Sequence, residues 1–93
     1  MKGSLELHAI VHGRVQGVCF RATVTQHANS LGVLGTVKNL PDGTVEIYAQ
    51  GLQKQLNDLL DLLVRDPGYG SVSSINKSFS EATSLFTDFN VVY

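Results

Sequence analysis

A chain of 93 residues has room for one hydrophobic core, so a single domain over residues 1–93 is expected. Its 43% hydrophobic content can fill that core, while charged residues, at 16%, fall below the roughly 25% of an average soluble protein. The formal net charge of −1 argues against a general nucleic-acid module, and the single Cys19 excludes an internal disulfide framework or a multi-cysteine zinc site.

From the amino end, Met1-Lys2-Gly3-Ser4 leads into Leu5, and Glu6, His8 and His12 interrupt any signal-peptide apolar core. No apolar stretch reaches the roughly 20 residues that span a bilayer, so a soluble, cytoplasmic protein with no membrane partner is expected. Leu5, Leu7, Ala9 and Val11 alternate with Glu6, His8, Ile10 and His12, the period-2 pattern of a strand with one apolar face. Gly13 and Gly17 then bracket a loop. Phe20, Val24, Ala28 and Leu31 fall on one helical stripe that Gly32 can stop in a left-handed conformation. Val33 to Asn39 and Thr44 to Gln50 read as two strands, with Val45, Ile47 and Ala49 inward. The Pro41-Asp42-Gly43 turn joins them, Pro presetting its dihedral and Gly supplying positive φ.

The second helix carries Leu52, Leu56, Leu59, Leu60 and Leu63, with Arg65 near the negative end of its dipole and Pro67-Gly68 stopping it. That leucine stripe is core. Val72 to Phe79 and Leu85 to Val92 are two further strands joined by a polar bend. The order is β-α-β-β-α-β plus a C-terminal strand, and two helices of about 12–14 residues can cover one face of such a sheet. An α+β, ferredoxin-like two-layer sandwich with a mostly antiparallel sheet follows. Right-handed connectivity sets the first strand beside the third, with the second on the third's far side. Fold class leaves function open, because this architecture hosts many activities.

Chemistry concentrates in Gly13-Arg14-Val15-Gln16-Gly17-Val18-Cys19-Phe20-Arg21, between a strand's end and a helix's start. It lies in the half of the chain, residues 1–41, where Lys2, Arg14, Arg21 and Lys38 face only Glu6, a balance of +3; residues 42–93 carry three basic against seven acidic residues. Backbone N–H groups of such a turn can converge on an anion, and the helix N-terminus adds unpaired donors and the positive end of its dipole. Arg21, in the first helical turn, opposes that dipole unless an anion intervenes, and its guanidinium suits bidentate contact with phosphate oxygens. The same residues also fit a glycine-rich connection with a solvated arginine. A P-loop is excluded, since three residues rather than four separate the glycines and Val18 follows the second. Cys19 and Arg21 stand too close together for a cysteine-phosphatase cradle, so Cys19 reads as a small packing residue or a bystander.

Asn39 precedes the turn; its amide can shape that turn or hold a water molecule. Asp42 fits the turn and Glu46 the solvated side of the third strand, which makes them an unconvincing acid–base pair. His8 and His12 share a strand face about 13 Å apart, too far to share a metal, and His27 sits alone in its helix.

The loop, followed by Lys38-Asn39-Leu40-Pro41-Asp42-Gly43-Thr44-Val45-Glu46 and Gly51, resembles the acylphosphatase family, and the resemblance runs from Leu5 to Phe89-Asn90-Val91-Val92-Tyr93. It implies a ferredoxin-like fold, no cofactor, and hydrolysis of carboxyl-phosphate mixed anhydrides to carboxylate and inorganic phosphate. By that resemblance Arg21 is the phosphate-binding catalytic residue and Asn39 positions the attacking water. The backbone amides of Val15, Gln16, Gly17, Val18 and Cys19 would cradle the phosphoryl oxygens. The expected partners are a small acyl phosphate and inorganic phosphate, with the chain acting as a monomer. Thr36 stands where the family often has an aromatic residue, residues 68–75 lack its Pro-rich form, and no basic residue comes just before the end.

The spare inventory of groups suits this chemistry. An acyl phosphate expels a carboxylate whose conjugate acid has a pKa of roughly 4, so the leaving group needs little protonation. Transfer through a loose transition state needs positioning and charge stabilisation more than a strong base. The competing reading is a non-catalytic ferredoxin-like module that binds an anion or other small ligand at the same loop. An RNA-binding version would need paired aromatics on central strands, and Tyr48 is the lone aromatic on the strands predicted between Leu5 and Gln50.

Overall fold

Strand β1 (Leu5–Arg14) buries Leu7, Ala9 and Val11 completely and leaves Glu6, His8 and Ile10 on the other face, as its alternation requires. This computed structural model describes residues 4–93; Met1, Lys2 and Gly3, including the lysine of the +3 balance and the start of the N-terminal lead, lie outside the described residues. Helix α1 (Phe20–Leu31) buries Phe20, Val24 and Ala28 and ends at Gly32, whose φ of 74° is left-handed. Strands β2 (Leu34–Asn39) and β3 (Val45–Gly51) form a hairpin, helix α2 (Gln53–Arg65) follows, and β4 (Ser71–Glu81) and β5 (Phe89–Val92) complete the sheet. Among the described residues no helix is long and apolar enough to cross a membrane.

The strand order is β4-β1-β3-β2-β5. β1 pairs antiparallel with β3 and β4, β2 pairs antiparallel with β3, and only β2 and β5 run parallel. Helix α1 packs over β2 and β5, α2 over β3 and β4, and the helices touch each other. Leu56, Leu59 and Leu63 of α2 meet Val24 and Ala28 of α1, Val37 of β2 and Ile47 of β3 in one buried cluster. This is the ferredoxin-like sandwich, with the first strand beside the third and the second beyond it.

Two details depart from the sequence reading. Leu52 is not part of the helix's buried stripe: it is the extended residue before α2, 55% exposed, and its N–H donates to Gln55 Oε1 at 2.8 Å. The stripe starts a turn later, at Leu56. The last strand is also shorter than Leu85 to Val92, beginning only at Phe89. β4 and β5 occupy opposite edges, so residues 82–88 must cross the end of the sheet instead of extending a strand. Buried Gln50 holds that crossing, donating to Glu6 Oε1 and to the Ser84 carbonyl and accepting from Phe86 N–H at 3.0 Å.

Register brings the site residues to one end. Val11 pairs with Val45, Val45 with Asn39, and Lys38, one residue earlier on β2, with Val92 of β5. The exit of β1, the end of β2 and Tyr93 therefore stand side by side. A bulge between His12 and Gly13 turns the chain out of β1 there. Gly13 has a φ of 131°, and a Cβ on it would collide with the Ser71 carbonyl, so the turn requires glycine.

Candidate active site

Residues 15–19 link β1 to α1. Val15 is buried and anchors the segment, whereas Gly17 and Cys19 face solvent. Gly17 has a φ of 72° and open space where a Cβ would sit, so its glycine serves conformation, not room. Cys19, at the N-cap of α1, has φ 59° and ψ 26° and gives its helix no side-chain cap. It is exposed, not packed. A left-handed non-glycine residue costs about 1–2 kcal/mol. Among the described hydrogen bonds, the N–H groups of Gln16, Gly17, Val18 and Cys19 have no backbone acceptor. The first N–H groups of α1 have none within the helix either, and its first turn carries no acidic residue. The segment thus presents consecutive donors with no protein anion among them.

Arg21, half-buried in the first turn of α1, lies with its guanidinium 4.9 Å from the Tyr93 ring centroid. No carboxylate pairs with it among the described ion pairs. A cation–π contact to a ring that is 91% exposed is worth about 0.5–1 kcal/mol and leaves the guanidinium's charge available to an anion. Sequence reasoning missed Tyr93. Its place beside the loop comes from the parallel β2–β5 pairing, which no local pattern announces.

Asn39 ends β2 on the helix-covered side, two residues after buried Val37. Its Oδ1 is buried and has no hydrogen-bond partner. Buried polar atoms are overwhelmingly satisfied, so this orphan acceptor at the rim of a donor-rich loop is exceptional within the fold. The following turn is closed by Leu40 N–H donating to the Thr44 carbonyl at 2.9 Å and Gly43 N–H to the Leu40 carbonyl at 3.2 Å. The Asp42 carboxylate accepts from Thr44 Oγ1 at 2.6 Å and Thr44 N–H at 3.0 Å. Those two donors, the hydroxyl first, hold the Asp42 carboxyl below its ordinary value of 3.8. Loop and hairpin are joined by Gln16, whose Nε2 donates to the Leu40 and Thr44 carbonyls, both at 2.8 Å. This side chain too went unnoticed in the sequence, where only its backbone stood out.

Asp42 stays in its turn as expected. Glu46 is less solvated than its strand position suggested, accepting from His8 Nε2 at 2.8 Å on the uncovered sheet face, where the His8 ring lies 4.7 Å from that of Tyr48. Among the described residues no group of three or more His, Cys, Asp or Glu side chains could hold a metal ion.

Unpaired amides, a guanidinium without a carboxylate partner and an orphan amide oxygen thus lie together at one end of the sheet. The comparisons with known proteins concern the whole chain. A family model for acylphosphatase matches residues 7–91. An acylphosphatase of Caldivirga maquilingensis is 40% identical over 94 aligned residues, covering 100% of this chain and 99% of that protein. The crystal structure of acylphosphatase from Bacillus subtilis superposes with a TM-score of 0.91 at 35% identity, over 96% of this chain and 99% of the other. An acylphosphatase from Coxiella burnetii gives a TM-score of 0.89 at 35% identity, over 98% and 95%. Sequence and fold agree over nearly the full length of both partners, and the chain belongs to the acylphosphatase family of hydrolases.

Proposed function

We propose that this enzyme hydrolyses carboxyl-phosphate mixed anhydrides by direct attack of water on phosphorus. Arg21 and the backbone N–H groups of Val15, Gln16, Gly17, Val18 and Cys19 hold the phosphoryl oxygens, and the Asn39 amide orients the water. The observation that carries this reading is the buried, unpartnered Oδ1 of Asn39, an acceptor for one proton of that water. As the water oxygen bonds to phosphorus, the bond from phosphorus to the acyl oxygen breaks and the electron pair leaves with the carboxylate. The water's surplus proton passes to a phosphate oxygen or to solvent. Equatorial charge gathers on the oxygens that face Arg21 and the amides, where fixed donors need no reorganisation. Because a carboxylate leaves unaided, neither a metal nor a covalent nucleophile is required. One chain supplies every group, which supports a monomeric catalytic unit.

The test is hydrolysis of benzoyl phosphate with and without a chelator, with Asn39→Ala as control. The expected result is chelator-insensitive turnover that Asn39→Ala nearly abolishes while inorganic phosphate still binds. Chelator-sensitive activity, or a normal rate in the variant, refutes the mechanism. Phosphate monoesters, with their poorer alkoxide leaving groups, should be poor substrates.

A further inference from the structure

We infer that Gln16 is a positioning residue, whose side-chain amide sets Asn39 against the phosphate loop. This rests on the role assigned above to Asn39. Gln16 lies inside the loop, yet its side chain leaves the loop and spends both Nε2 hydrogens on the hairpin, at the Leu40 and Thr44 carbonyls. Those are the two carbonyls at the mouth of the turn that follows Asn39. The turn is itself cross-braced by Leu40 with Thr44 and by Asp42 with Thr44, so the hairpin end moves as one piece.

Among the described hydrogen bonds, no other side chain links residues 15–19 to residues 39–44. Asn39 has no described side-chain hydrogen bond of its own, so the aim of its amide follows the backbone of β2. Beyond the β1–β3–β2 pairing and the packing of Val15 in the core, the hairpin end is tied to the loop by the Gln16 side chain. The phosphoryl group is held by the loop and the water by the hairpin, which makes Gln16 the gauge of their separation. In-line attack tolerates little error in that separation, and a displacement of about an ångström can cost on the order of a hundredfold in rate.

Gln16→Met keeps the length and flexibility of the side chain and removes both donors. The expected result is a fall in kcat for benzoyl phosphate of about ten- to a hundredfold, with the inhibition constant of inorganic phosphate unchanged because the loop amides and Arg21 are untouched. In an Asn39→Ala background the same substitution should cost nothing further, since there is no longer an amide to aim. Circular-dichroism melts establish that each variant folds. A rise in the phosphate constant parallel to the loss of rate assigns Gln16 to loop stability and overturns the proposal. So does full activity of Gln16→Met, or a loss that multiplies with that of Asn39→Ala. Should the double variant show no rate above background, the split between kcat and the phosphate constant decides alone. A wild-type rate in Asn39→Ala would instead remove the role of Asn39, and this proposal with it.

Discussion

Arg21 and Asn39 are asked to do different things, and their substitutions should separate. In the proposed mechanism Arg21 touches the phosphoryl group in ground and transition states, so Arg21→Ala should weaken inorganic phosphate as an inhibitor and lower the rate together, by about 3 kcal/mol of transition-state stabilisation or more. Arg21→Lys keeps the charge but loses the planar fork, and should recover only a minor part of that loss. A lysine variant with wild-type kcat/KM would reduce Arg21 to a point charge. Asp42 offers a test of the hairpin next to Asn39. Its carboxyl is held below the ordinary aspartate value of 3.8 by Thr44. A carboxyl depressed in the folded state stabilises the fold above its unfolded pKa, and that contribution disappears as pH falls through the lower folded value. Wild type should therefore exceed Asp42→Asn in urea midpoint near neutrality, and the gap should close at pH well below 3.8. A gap that persists there would place the stabilising effect elsewhere.

At the level of elements, periodicity located nearly everything that buries a face. The alternation of β1, the stripe of α1 and the leucines of α2 identify buried residues correctly because each of those elements has one neighbour-rich side. Leu52 shows where that logic stops: a residue in phase with the stripe but ahead of the first helical turn has nothing to pack against. Leu59→Ala, at a fully buried position, should cost about 2–5 kcal/mol in unfolding free energy, while Leu52→Ala should stay within about 0.5 kcal/mol. Comparable losses from the two would mean that α2 starts earlier than Gln53. The residues that periodicity could not find are those defined by a neighbour on another element. Gln16 meets the hairpin 24 and 28 residues away, Tyr93 meets Arg21 across the β2–β5 pairing, and the crossing at 82–88 follows from β4 and β5 standing on opposite edges. Alternation reports which face a side chain uses. It carries no record of what waits on that face.

For the molecule as a whole, the near-neutral charge and the proposed phosphate site are compatible because the positive groups are local. The loop and Arg21 belong to the basic first half of the chain, and the excess acidity lies in residues 42–93. Sheet order brings the exit of β1 level with the end of β2, so that the loop amides and the Asn39 side chain, the proposed holders of phosphate and water, arrive from separate strands at one end of the sheet. The central claim is that those two parts direct water to phosphorus. Hydrolysis of benzoyl phosphate in heavy-oxygen water tests it, by asking which product carries the label. The account predicts label in inorganic phosphate and none in benzoate. Label in benzoate would mean attack at the acyl carbon, and would contradict the assignment of every group in the site.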